Sequence, residues 1–553
     1  MKFVLRPFVH TTAVLAMGLG LPVCLWAENA SGRYAGYTEQ AAKGPHAQVK
    51  AATFFGGDGY EEFTAAVGLP NDGGYIVAGN SWGPAFPLNT NVTVLGKGAH
   101  RGLSPTEWGK RAKNQAVNQP NSASPDCAGF LLFYDKDVKK IQKAYRFDWG
   151  VGTVMATALT EDGKSLLVTG RATAALGILS NTAKSFKTTP VGSGKYDYAG
   201  VSCPGDVYVM KLKLDDGKIE WIQVLAGLNA TTDKLWIDKK GVIYLPAGGL
   251  YRITADGGSV KKISDLNGAE GPAKWVGFNP KTGESYFGGD RNTKTGREPY
   301  RQPYLYRIDS EGQRKARYWE PDPKEISSAT GHMESDSSIL ALDFRSDGTA
   351  ALLGWSDGGN SVLPRQISDW HVEGPGGGMK MATWGMKSAN SLGHVMLANL
   401  DKPELLMHSW FACFIPGNFH DAKFRNAPNA IGFEHIVALP GDALLCQGGA
   451  ATGLIQTPNA FYKYPEDGPK YGGEFALIFN PEVNRLLFSS YLPGCAEVRL
   501  GKYSKGGLVI SRSKGDDASQ NTNGPTPSPV TKGAVQEKFG GKTDGHLIIL
   551  ELP

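Results

Sequence analysis

The sequence predicts an all-β fold: a seven-bladed β-propeller of four-stranded antiparallel blades, closed by an N-terminal strand and carrying long loop insertions on one face. Three observations carry that expectation. Gly accounts for 72 of 553 residues, well above its usual share of about 7%, and with 23 Phe and 21 Tyr this composition marks short strands joined by tight turns. A unit of four strand-like runs recurs along the chain, the pattern of a radially repeated architecture. The last copy stops one strand short, and an unassigned strand of the right character stands near the N-terminus. A long sandwich or two smaller propellers are the alternative arrangements of the same strands.

In each unit an apolar run meets a Gly/Asp/Asn turn and a second run ends in Gly. After a variable loop a third run ends near Asp or Asn, and a fourth follows. The first copy is FTAAVGLPNDGGYIVAG (Phe63–Gly79), GFLLFYD (Gly129–Asp135) and IQKAYRF (Ile141–Phe147). The second spans VMATALTEDGKSLLVTG (Val154–Gly170), DVYVMKLKLDDG (Asp206–Gly217) and KIEWIQVL (Lys218–Leu225). A trimmed third copy begins at KLWIDKKGVIYLPAG (Lys234–Gly248), and the fourth begins at KWVGFNPKTGESYFGG (Lys274–Gly289). The fifth begins at ILALDFRSDGTAALLG (Ile339–Gly354) and the sixth at HIVALPGDALLCQGG (His435–Gly449). The seventh has EVRLGKYSKGGLVIS (Glu497–Ser511) and GHLIILEL (Gly545–Leu552) but no fourth strand. QVKAATFF (Gln48–Phe55) is the expected supplier, because an open strand edge invites aggregation.

These units resemble the bacterial β-propeller repeat family known as SBBP. The stretches that carry the resemblance are Gly56–Leu88, Thr457–Gly494 and Val530–Leu550, with the plan Ala-Phe/Val, Gly-Gly, then an acidic residue before the third strand. The match is good in units one, six and seven and degenerate in three to five. The resemblance implies an exported propeller; the family carries no agreed reaction.

Composition excludes several classes. Charged residues make up 20% and hydrophobic ones 41%, with no G-X-Y period and no long unbroken apolar run. A collagen, a coiled coil, a polytopic membrane protein and a wholly disordered chain are excluded. Residues 1–27 read as a signal peptide, with Lys2 and Arg6 before the apolar stretch Thr12–Leu21 and Ala27 at the cleavage position. Residues 28–47 form an N-terminal extension and 48–553 the propeller, with no transmembrane segment expected after cleavage. The location is exported: periplasm, cell surface or medium. The formal charge of +5 is spread without a basic block, so no nucleic-acid partner is expected. Cys127, Cys203, Cys413, Cys446 and Cys495 remain after cleavage, an odd and widely spaced set that fits one or two bridges or buried free thiols.

Candidate function sits on one face. Nearly all inserted sequence lies between the second and third strands of a unit, at 80–128, 171–205, 355–393, 450–473 and 512–544. Binding belongs on loops held by a rigid scaffold. These loops carry Trp82, Phe86, Trp108, Tyr196, Tyr198, Trp370, His371, Trp384, Tyr462, Tyr464 and Tyr471, which suit sugar faces or a protein partner, or fill small loop cores. Acidic residues recur at the start of each unit: Glu62, Asp233, Asp336, Glu434 and Glu497, with Glu270 a looser match. They either ring the central channel, where a divalent cation would need converging oxygens, or cap backbone N–H groups of a neighbouring blade. His435 follows Glu434 and is a candidate base or a core histidine. His332-x-Glu334 and His371-x-Glu373 lack a third ligand, so no metal site is assigned, and no cofactor motif is present.

The expected function is a binding module that recognises a glycan or surface protein through its loop-rich face. The alternatives are a carbohydrate-active lyase or hydrolase using carboxylates near the channel, and a structural component of the cell envelope.

Overall fold

The computed structural model describes residues 41–81 except 58, 86–95 except 89, 128–147, 153–172, 183–198, 201–228 except 205, 230–268 except 231, 271–292, 301–319, 336–357, 363, 380–384, 391–411, 431–450, 454–462, 473–514 and 528–553. The strands form seven sheets, one per repeat, with a tiny hairpin added in each of two connections. The inner strands of blades 1 to 7 are Glu61–Gly68, Ala156–Leu159, Trp236–Ile237, Trp275–Asn279, Ser337–Phe344, Ile431–Ala438 and Cys495–Tyr503.

The ring closes as the orphan strand requires. Gln48–Phe55 is the outermost strand of blade 7 and runs antiparallel to Thr543–Glu551, from Gln48 opposite Glu551 to Phe55 opposite Gly545. Residues 41–47 reach this strand by way of blade 6, where the Ala47 amide donates to the Leu487 carbonyl at 2.9 Å.

The core is a ring of layers between blades. One joins Ile76 and Leu131 of blade 1 to Leu166 and Tyr208 of blade 2, and another joins Leu508 and Leu547 of blade 7 to Phe63 and Phe130 of blade 1. The middle strands therefore have both faces covered. That is why Tyr75–Ser81 and Ala128–Tyr134 are buried at every position and why the alternation in the sequence is only partial.

The recurrent Gly near the end of the second strand has a steric cause. A Cβ on Gly79 would lie 2.2 Å from the Glu62 carbonyl oxygen and 2.4 Å from the Phe130 ring. One on Gly170 would lie 1.7 Å from the Thr153 oxygen, and one on Gly448 1.9 Å from the Gly432 oxygen. The inner strand and a bulky third-strand residue close on this point from two sides.

The blades differ from the expected four strands in one respect. In blades 1, 2 and 5 part of the insertion returns as a fifth strand, parallel to the outermost one: Val92–Leu95 on Ile141–Phe147, Ala183–Pro190 on Ile219–Ala226, and Lys380–Trp384 on Glu404–Phe411. Blades 6 and 7 do the same less regularly. Thr457 exchanges hydrogen bonds with Ser489, and Thr531 and Gln536 bond along Ala52–Phe54. Covering the edge satisfies its free N–H and C=O groups. Blades 3 and 4 lack such insertions, and their outer strands carry charge instead: Lys261 and Lys262 in VKKIS, and Arg314, Lys315 and Arg317 in RKARY. Charge is the other common protection of an edge.

Candidate functional site

The inner strands are irregular where they enter the channel. Register breaks fall between Phe63 and Ala65, Ile339 and Ala341, Phe433 and His435, and Ala496 and Arg499. A bulge of this kind re-aims the extra residue. In blade 6 the extra residue is Glu434. In blade 7 it is Glu497 with Val498, and Glu497 has φ of 54°, a left-handed conformation that costs a non-Gly residue energy.

A cavity of about 430 Å³ occupies the channel, lined by residues of the seven blades that include Thr64, Asp233, Lys234, Asp343, His435 and Arg499. A second, of about 400 Å³, adjoins it and shares Asp233, Lys234 and His435. Its walls are the Pro246–Gly249 turn, Asp265–Asn267 and Pro272–Val276, from the two blades with short connections, with Glu434 completing the rim.

Arg499 organises the charges of this mouth. Its Nη1 donates to His435 Nε2 at 3.5 Å, which leaves the imidazole proton on Nδ1. Burial, Arg499 and Lys234 together pull the His435 pKa far below its usual value, against the opposing charge of Asp233. Burial alone would raise the Asp233 carboxyl, but the charges of Lys234 and Arg499 outweigh it and hold it ionised. Glu62 behaves oppositely. Burial and the neighbouring Glu497 charge push it up to about 8, against Arg512, an Asn80 hydrogen bond and Arg499, so it keeps its proton at neutral pH. Glu497 pairs at 3.4 Å with Arg512, which is 3% exposed. The mouth therefore offers an ionised Asp233 carboxylate, a neutral His435 imidazole and the Arg499 guanidinium, with the protonated Glu62 buried nearby. Among the described residues, no three His, Cys, Asp or Glu converge as metal ligands.

The structure divides the acidic residues read from the sequence. Asp233 and Glu434 line the mouth, Glu497 is held by Arg512, and among the described residues the Glu434 side chain makes no hydrogen bond or ion pair. Glu62 also joins blades: Asn80 donates to it at 2.9 Å while exchanging hydrogen bonds with the Val154 backbone of blade 2. Asp336 accepts from the Arg301 amide at 2.9 Å and from its guanidinium at 2.7 Å, tying blade 5 to blade 4. Phe86 packs into the aromatic cluster of Phe55 and Phe130. The Tyr462 amide donates to Ser490 Oγ at 3.0 Å, and its side chain packs on the core between blades 5 and 6. Trp82, Trp108, Glu270, Trp370, His371, Tyr464 and Tyr471 lie outside the described residues. Sequence reasoning missed Lys234, Arg499 and Arg512; the available signal for the first two was a basic residue within two positions of Asp233 and Glu497, and nothing in the spacing marks Arg512. Cys446 and Cys495 are free thiols.

No family model matches this sequence, and no curated relative does. Among solved structures, the β-propeller domain of Cps50 (Swd1) from Myceliophteria thermophila is similar at 9% identity and a TM-score of 0.35, covering 77% of this chain and 93% of that one. The chain is a seven-bladed β-propeller. That statement rests on its own strand pairing, and the resemblance to the SBBP repeat rests on the quoted residues alone.

Proposed function

We propose that the propeller is an exported binding module that recognises a glycan at its channel mouth and the adjoining loop-rich face. The observation that carries the reading is the group Asp233, Lys234, Glu434, His435 and Arg499 around two adjoining cavities. Charged acceptors and donors at close spacing match the hydroxyl pattern of a sugar, and the volume suits one or two rings. Export is supported by the basic start and apolar stretch of residues 1–27, and membership of the SBBP repeat family by the three quoted stretches. The test is thermal unfolding of residues 28–553 against neutral and acidic oligosaccharides, where a ligand at 100 times its Kd adds about 2.7 kcal/mol. A shift with one glycan class that is lost in Glu434→Gln supports the reading. Absence of any shift sinks it and favours a protein partner or an envelope role.

A second reading, a carbohydrate hydrolase or lyase, is favoured by one observation. Glu62 and Glu497 are carboxyl groups within electrostatic reach, and burial with the Glu497 charge pushes Glu62 up to about 8, the shift a general acid requires. Release of reducing or unsaturated ends by the wild type and not by Glu497→Gln would support it.

A further inference from the structure

At the far end of the channel a third cavity, of about 300 Å³, is formed by short turns from four blades. It shares Pro280 and Lys502 with the channel cavity, so it lies at the exit opposite the mouth. Lys281 of blade 4, Arg345 of blade 5 and Lys502 of blade 7 converge on it. Among the described residues Asp442 is the one carboxylate in its lining, and both its oxygens accept from Ser346, from the amide at 2.6 Å and the hydroxyl at 2.7 Å.

The three cations face two carboxylates: Asp442 beside Arg345, and Asp347, on which the charges of Arg345 and Lys281 both act. Lys502 Nζ donates to the Ala438 carbonyl at 3.2 Å and Lys281 Nζ to the Ser346 carbonyl. Arg345 donates to the Pro481 carbonyl at 3.1 Å and stands 3.8 Å from Asp442. Among the described residues its Nε is buried without a hydrogen-bond partner, which carries a desolvation cost. Neutral carbonyls leave the positive charge of both lysines in place, and Pro280, Phe344, Leu439 and Pro440 supply an apolar wall. We propose that this exit cavity is an anion site that takes a phosphate or carboxylate group, separate from the mouth. An oxyanion there would accept from the two ammonium groups, and the apolar wall would strengthen the attraction.

The test is titration calorimetry of the full mature chain with inorganic phosphate, glucuronate and, as the uncharged control, glucose. Binding of phosphate, glucuronate or both, weakened about tenfold in Lys281→Gln and Lys502→Gln, with glucose inert, is the expected result. Phosphate alone would identify a free inorganic anion, and glucuronate a uronic acid unit. Both lysines are exposed, so these variants leave the melting temperature near that of the wild type. No heat with either anion overturns the proposal, as does binding that survives both substitutions. Neither result bears on the mouth, which Glu434→Gln reports separately.

Discussion

His394 Nδ1 and His408 Nε2 lie 2.7 Å apart in the interior of blade 5, with the rings stacked at 5.0 Å. Both residues are 0% exposed. Ser356 Oγ sits 2.7 Å from the other nitrogen of His394, so a hydrogen-bonded line crosses three strands. One of the two facing nitrogens donates its proton and the other accepts, an arrangement lost once both rings are protonated.

Stability should therefore fall with acid. Burial pulls His394 down to about 3 and His546 to about 4, and lowers His408 through burial and the charge of His394. A histidine depressed in the folded state binds its proton more readily when unfolded. Its stabilisation is full above the unfolded value of 6.5 and is lost as pH falls through the folded value. At about pH 4 the loss from His394 alone is on the order of 3 kcal/mol. Melting temperature against pH should drop below pH 6.5, and His394→Gln should flatten that drop.

Closure by Gln48–Phe55 should be essential to cooperative folding. Removing residues up to 55 opens Thr543–Glu551 and uncovers Leu547 and Ile549, both 0% exposed. The truncated chain is expected to associate through its open edge, visible as high mass on size exclusion, and a peptide of residues 41–57 should restore the monomer. A monomeric truncation with an unchanged melt would contradict the closure.

The repeated Gly should tolerate no side chain. Gly79→Ala places its Cβ 2.2 Å from backbone oxygen and is expected to cost about 1–3 kcal/mol. Gly432→Ala, where nothing lies within 4 Å, should be neutral. Denaturant midpoints for the two variants decide the matter.

Replacing Arg499 should reset the mouth. Arg499 lowers Glu62, Asp233 and His435 alike, so Arg499→Gln should raise all three. The imidazole resonances of His435 should titrate at higher pH in the variant. Unchanged titration would show that Arg499 does not organise these charges.

The repeat, the blade count and the closing strand were legible in the sequence because they are local. Strand runs, turn residues and a missing fourth strand can be counted without knowing what packs where. The acidic residues at blade starts were legible as a set but not as a site. Asp336 and Glu434 look alike in sequence, yet one clasps Arg301 and the other faces the cavity. That division depends on whether a bulge aims the carboxylate inward or a neighbouring blade supplies a donor.

By itself the sequence determined the fold, since each blade is specified by contiguous residues with their own turns and glycines. Tertiary structure alone decided the chemistry. Arg499, His435, Asp233 and Lys234 come from blades 7, 6 and 3, and only closing the ring brings their charges within reach of one another. The same holds for Lys281, Arg345 and Lys502 at the far end. Electrostatic interaction depends on distance and burial, and linear spacing carries neither.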